Sequence, residues 1–179
     1  MGCLAVLFAL NEQEVEKLRS VPRKERAEYM HEEIEEIFFD KFPQYTQELD
    51  KSWDAMHRML TDGNLSFENK CSPLCNVIFG GDPLYGITRE SGEVVVPDEE
   101  DDEFMILKTP RQVEEVAEEL SKLTRTACHE QYFRIDEEDY GYPLSEEDFE
   151  YTWEWLEISM DFWKNAAREK RYVLFTVDR

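Results

Sequence analysis

The chain has 179 residues, 41% hydrophobic and 13% aromatic, enough for one domain with its own core and inconsistent with whole-chain disorder. Its 42 acids against 20 bases give a formal net charge of −22, which disfavours binding to nucleic acid or to anionic membranes. The charge is uneven, net −7 over residues 1–90 and net −15 over residues 91–179. Any macromolecular partner is expected to be basic, unless the acidity serves solubility alone.

The apolar run over residues 2–10 suits a strand buried on both faces. It lacks the basic n-region and cleavage site of a signal peptide, and it is too short to span a bilayer. The start Met-Gly-Cys lacks the Ser or Thr at position 6 that myristoylation wants, because Val6 stands there. We read a cytoplasmic protein with reduced thiols. Asn11 and Glu14 resemble a capping box, predicting a short helix over 12–20 that ends before Pro22. A second helix is predicted over 23–39, with Ala27, Met30, Ile34, Ile37 and Phe38 on one stripe.

A third helix is predicted over 46–60, where Leu49, Trp53, Met56 and Leu60 step by helical spacing. Residues 64–75 read as loop. "NVIFGGDPLYG" over 76–86 reads as a short apolar strand entering a Gly-Gly turn. Residues 93–97 suggest another strand or an extended loop. The six carboxylates over 98–103 predict a solvated, mobile acidic segment. Thr109, Pro110 and Gln112 open a strongly signalled helix whose stripe is Val113, Val116, Ala117, Leu120, Leu123 and Ala127. An acidic loop over 134–148 leads to Ser145 as the cap of a last helix, 146–169, apolar on two sides. "RYVLFTV" over 171–177 is the second buried-strand candidate, expected beside the first.

These segments run in one order from end to end: "MGCLAVLFAL", "SWDAMHRMLT", "FGGDPL", "TPRQVEEVAEEL", and a last segment with Trp163, Ala166-Ala167 and a terminal strand. In that order and spacing the chain resembles the YfbM-like proteins, a group of uncharacterised bacterial proteins. The resemblance implies a single α/β domain, helices packed on a mixed β-sheet in a layered αβα sandwich. It implies no established activity, cofactor or catalytic residue. Between the Gly-Gly turn and the "TP" helix the family usually carries a Gly-Tyr-Gly-Pro-like stretch. Here "VVVPDEEDDEFMIL" stands in its place, so a pocket shaped by that stretch in relatives would be altered and acidic in this chain.

The candidate ligand-binding residues are Trp53, Asp54, His57, Gly80, Gly81 and Asp82. On a helix over 46–60, His57 lies roughly 60–80° from the centre of the apolar stripe, with Asp50 and Asp54 alongside. A carboxylate beside a histidine fixes its tautomer and raises its pKa, as a general base requires; the same pattern also satisfies a half-buried histidine in an ordinary fold. Gly80 and Gly81 allow a backbone to approach a ligand, or simply make a tight turn. Cys71-x3-Cys75, Cys128, His129 and His57 lack a second close ligand pair, and neither carboxylate run has the spacing of a calcium loop. We therefore expect no metal and no cofactor. No nucleophile is tied to His57 by the sequence, and catalysis stays undecided.

Besides an accessory domain whose role depends on its genetic context, two functions remain from composition and motifs. One is a non-catalytic binding domain acting on a basic protein partner, in the manner of immunity proteins or inhibitors. The other is a small-molecule binder or enzyme with its site near Trp53, His57 and the Gly80–Gly81 turn. Oligomeric state is not legible in the sequence.

Overall fold

The computed structural model describes residues 3–66, 72–90, 93–95 and 103–178. Gly2 of the apolar run, residues 67–71 of the predicted loop (Cys71 among them), the last two of 93–97 and the acidic run over 98–102 lie outside the described residues.

The first strand, β1 (Leu4–Leu10), is buried on both faces as its unbroken apolar run predicts. It enters α1 (Glu12–Ser20), where Asn11 and Glu14 cap each other's backbone in a capping box. The predicted second helix is instead segmented. A 3-10 turn over Arg23–Glu25 leads to α2 (Arg26–Tyr29), a π-helical stretch over Met30–Glu35, and α3 (Glu36–Lys41). Met30, Ile34 and Phe38 still point to the core.

The predicted helix over 46–60 is corrected. Residues Thr46–Asp50 form a strand, β2, and only Trp53–Leu60 form a helix, α4. Asp50 sits in the left-handed region at φ 48° and turns the chain between them. The Tyr151 hydroxyl donates to Asp50 Oδ2 at 2.8 Å and accepts from the Lys51 amide at 3.2 Å, which holds this turn. Leu49 mimicked the helical stripe because a strand residue facing the same core is buried like a helix residue.

The strand expected before the Gly-Gly turn is also corrected. A 3-10 turn over Pro73–Val77 precedes it, and the strand β3 (Asp82–Tyr85) follows it. Strands β4 (Thr88–Glu90) and β5 (Glu93–Val95) pair with each other. Then come β6 (Glu103–Lys108), α5 (Pro110–Lys122), α6 (Arg125–Tyr132), a short α7 (Glu137–Tyr140) inside the predicted acidic loop, α8 (Glu146–Arg168) and β7 (Tyr172–Asp178).

The main sheet has the order β2-β1-β7-β6-β3. Both terminal strands lie inside it and are paired, as their apolar character requires. Every pairing is antiparallel, where a mixed sheet is the expectation. The helical connections explain this. β1 ends beside the start of β7, and β2 begins opposite Phe8, so the helices over 12–41 leave and return at one end of the sheet. The connection from β6 to β7 through α5–α8 does the same. Each strand therefore re-enters antiparallel to its neighbour.

The result is a single αβα sandwich. One sheet face carries Ala5, Leu7, Ala9, Phe104, Ile106, Val173 and Phe175 and packs on α4, α5, α6 and α8. The other carries Phe8, Leu10, Met105, Leu107 and Leu174 and packs on α1 and the helical segments over 26–41. Arg23 and Arg26 donate to the carbonyls of Leu84 and Ile87 at 2.8–3.2 Å, covering the chain beside β3 at one sheet edge.

Candidate functional site

Among the described residues, the sequence-predicted site residues do not all meet in one place. Trp53 and His57 come together, since both rings pack on Phe79, at centroid distances of 5.7 and 4.9 Å. Trp53 Nε1 donates to the Cys3 carbonyl at 3.0 Å, and His57 Nε2 donates to the Ser66 carbonyl at 3.1 Å. His57 is fully buried. Burial is the main reason its pKa falls to about 4; the Ser66 carbonyl opposes the fall and nearby Lys108 deepens it. The ring is neutral at pH 7. Its Nδ1 is buried with no hydrogen-bond partner among the described residues.

The carboxylates expected beside His57 are occupied elsewhere. Asp54 binds Arg58 Nε at 2.6 Å, and Asp50 belongs to β2. Arg58 is itself buried and reaches Asp139 of α7 at 2.5 Å, which fastens the acidic loop onto α4. The Tyr132 and Tyr140 hydroxyls both donate to Asp148, so part of this acidic segment is engaged internally. Gly80 and Gly81 serve the turn. A Cβ on Gly80 would meet Asn76 Oδ1 at 2.2 Å, and Gly81 has φ +124° with Leu107 O only 2.5 Å from a Cβ. Asp82 is exposed and pairs with Arg19 at 3.1 Å.

Lys108 closes this neighbourhood from below. It is wholly buried, and its Nζ donates to the Ile78 carbonyl at 2.5 Å over the Phe175 ring. Burial holds its pKa well below that of an ordinary lysine. Burial raises the pKa of the Cys128 thiol to about 11. Among the described residues no group of three His, Cys, Asp or Glu side chains is arranged to hold a metal ion.

A different site lies on the opposite sheet face. A cavity of about 400 Å³ opens where β1 and β6 begin and where β2 and β7 end. Its apolar wall includes Leu4, Met30 and Phe39, and Trp155 of α8 stands at its rim. Leu4 and Phe39 are among the large apolar side chains exposed on the described surface. Among the described residues its charged lining is Glu35, Glu48, Asp50, Glu103 and Asp178, with His31 and no Lys or Arg.

Strand alternation places these acids. Glu103, Met105 and Leu107 share one face of β6, and Leu174, Thr176 and Asp178 share the same face of β7. Glu103 and Asp178 pair in register, so two carboxylates stand opposite each other on neighbouring strands, an unfavourable arrangement without a cation. The π-helical stretch above them presents His31, whose Nδ1 lies 2.6 Å from Glu35 Oε2 and whose Nε2 lies 3.0 Å from Glu103 Oε1. Burial works against the charged ring. Hydrogen bonds to Glu103 and Glu35, with their charges, outweigh it and raise the His31 pKa. The Glu103 side chain is 20% exposed, and its second oxygen, Oε2, is buried with no partner among the described residues. Local π-helical turns recur at functional sites.

The predicted motif, a histidine flanked by carboxylates, is thus present at His31 and absent at His57. The usable signal was the four-residue spacing of His31 and Glu35 in a predicted helix. Glu103 was hidden in the acidic run, where it read as one solvated charge among six. Among the described residues no helix is long and apolar enough to cross a membrane.

No curated protein matches this chain. Among solved structures it is similar to the crystal structure of a protein of unknown function, YfbM from Escherichia coli. The identity is 18%, the TM-score 0.63, and the match covers 98% of this chain and 99% of that one. That likeness establishes the fold, in keeping with the resemblance read from the sequence. A family model described as a domain of unknown function, DUF1877, matches residues 1–176, and the chain belongs to that family.

Proposed function

We propose that the protein is a cytoplasmic, non-catalytic binding domain that takes a basic protein partner, with a cationic side chain of the partner seated in the cleft beneath His31. The observation that carries this reading is the lining of the cleft, which among the described residues is five carboxylates and a histidine with no Lys or Arg, against an apolar wall. A long cationic side chain suits such a place, because its aliphatic stem covers apolar surface while its head meets carboxylates. The net charge of −22 supports steering of a basic partner toward the surface.

The test is calorimetric titration of acetylated tetra-arginine amide into the protein and two double variants. Glu35→Gln with Asp178→Asn should weaken binding about tenfold or more, as loss of close charge pairs does. Glu115→Gln with Glu118→Gln, on the outer helix α5, should leave it nearly unchanged. Equal losses in both variants would reduce the binding to general charge and reject the cleft.

A further inference from the structure

Both ring nitrogens of His31 face carboxylate oxygens, Glu35 Oε2 at 2.6 Å and Glu103 Oε1 at 3.0 Å. A neutral imidazole has one donor nitrogen and one acceptor nitrogen. With a neutral ring, one of these contacts would set lone pair against lone pair. Only the imidazolium donates to both, so the arrangement is built for a proton. It ties the π-helical stretch to the first residue of β6.

The charged groups that line the cleft with the ring come from four elements. Glu35 belongs to its own helical segment, Glu103 to β6, Asp178 to β7, and Glu48 and Asp50 to β2. All are acids. The proton on His31 therefore offsets the cross-strand repulsion of Glu103 and Asp178. The raised pKa of the ring agrees with that geometry, and the unpartnered Oε2 of Glu103 remains available to a second donor.

We infer that the proton on His31 is the resident cation of the cleft, and that an incoming cationic side chain competes with it for Glu103. The inference rests on the cation-binding reading of the cleft. As the second positive charge approaches, the imidazolium is destabilised and releases its proton to solvent. Glu103 then turns from His31 to the new donor. One ring N–H bond of His31 breaks and its proton passes to water or buffer, so up to one proton leaves for each cation bound. Affinity rises with pH through the His31 pKa and levels off above it, because the ligand prefers the deprotonated ring.

The experiment is a pH titration of the full chain with ring-labelled histidines, followed by NMR with and without acetylated tetra-arginine amide. In the free protein the His31 midpoint should lie above the ordinary value of about 6.5. Either Glu103→Gln or Glu35→Gln should lower it by about one unit, the size expected for loss of one close carboxylate. Saturating peptide should lower it by a similar amount, while His57 does not move. Calorimetry in buffers of different ionisation enthalpy should record proton release near the His31 midpoint. A midpoint at or below the ordinary value overturns the inference. So does a His31 midpoint that stays fixed while calorimetry records peptide binding; the cleft then binds cations without the proton exchange. Absence of peptide binding defeats the cleft reading itself, and the competition with it, whatever His31 titrates at.

Discussion

The two histidines on opposite faces of the sheet behave in opposite ways. His57 is enclosed by Trp53, Phe79 and the layer of α4, its pKa pushed down to about 4. His31 lies at the edge of the other helical layer between two carboxylates, its pKa pushed up. The residue type is the same and the environment decides the charge: burial without a counter-charge neutralises the ring, and flanking acids keep it protonated. A histidine in a sequence is therefore a poor pointer to a site until its neighbours are known. The packed face holds the molecule together, and the acidic face carries an open cleft lined by carboxylates.

The contrast is most open to attack at Phe79, which contacts both Trp53 and His57. Phe79→Ala should destabilise the fold by about 3–5 kcal/mol, the usual cost of emptying an aromatic site in a core, as read by urea unfolding. A loss below about 1 kcal/mol would mean that this face is not the structural one.

The next effect is acid sensitivity. The folded pKa of His57 is depressed, so below the ordinary value of about 6.5 the unfolded chain takes up a proton that the native ring refuses. The stability gap between the wild type and His57→Asn should therefore change as the pH falls from 6.5 to 4, with the wild type losing about 3 kcal/mol relative to the variant. A gap that stays constant over that range would show His57 titrating normally.

For His31 the sign reverses. Its folded pKa is raised, so its contribution to stability is fully present below about 6.5 and fades as the pH rises through the folded pKa. His31→Gln should cost little stability, on the order of 1 kcal/mol or less for such a partly exposed ion pair. The difference from wild type should shrink on the alkaline side. A difference that grows with pH would contradict the protonated clasp.

Much of the architecture was legible because local chemistry and tertiary packing agree there. The capping boxes at Asn11–Glu14 and Thr109–Gln112 form as written, and the two apolar terminal runs are adjacent strands. The misreadings fall where a tertiary contact overrides a local pattern. Leu49 fits a helical stripe but belongs to β2, because Asp50 turns the chain and Tyr151, about a hundred residues away, holds that turn. The site was less legible for the same reason. Glu103 and Asp178 are far apart in sequence and become neighbours only through the β6–β7 register. Glu103 lies within "VVVPDEEDDEFMIL", the stretch where the chain departs from the family pattern. Which of its acids turns inward depends on strand phase, and a run of six carboxylates conceals that.

The central claim is that the cleft beneath His31, and not the Trp53–His57 neighbourhood, is where the protein meets its partner. An amide chemical-shift map on titration with acetylated tetra-arginine amide tests this most directly. The account predicts that the largest shifts cluster at His31, Glu35, Glu103 and Asp178. Shifts centred instead on Trp53, His57, Gly80 and Gly81 would contradict it and return the site to the opposite face of the sheet.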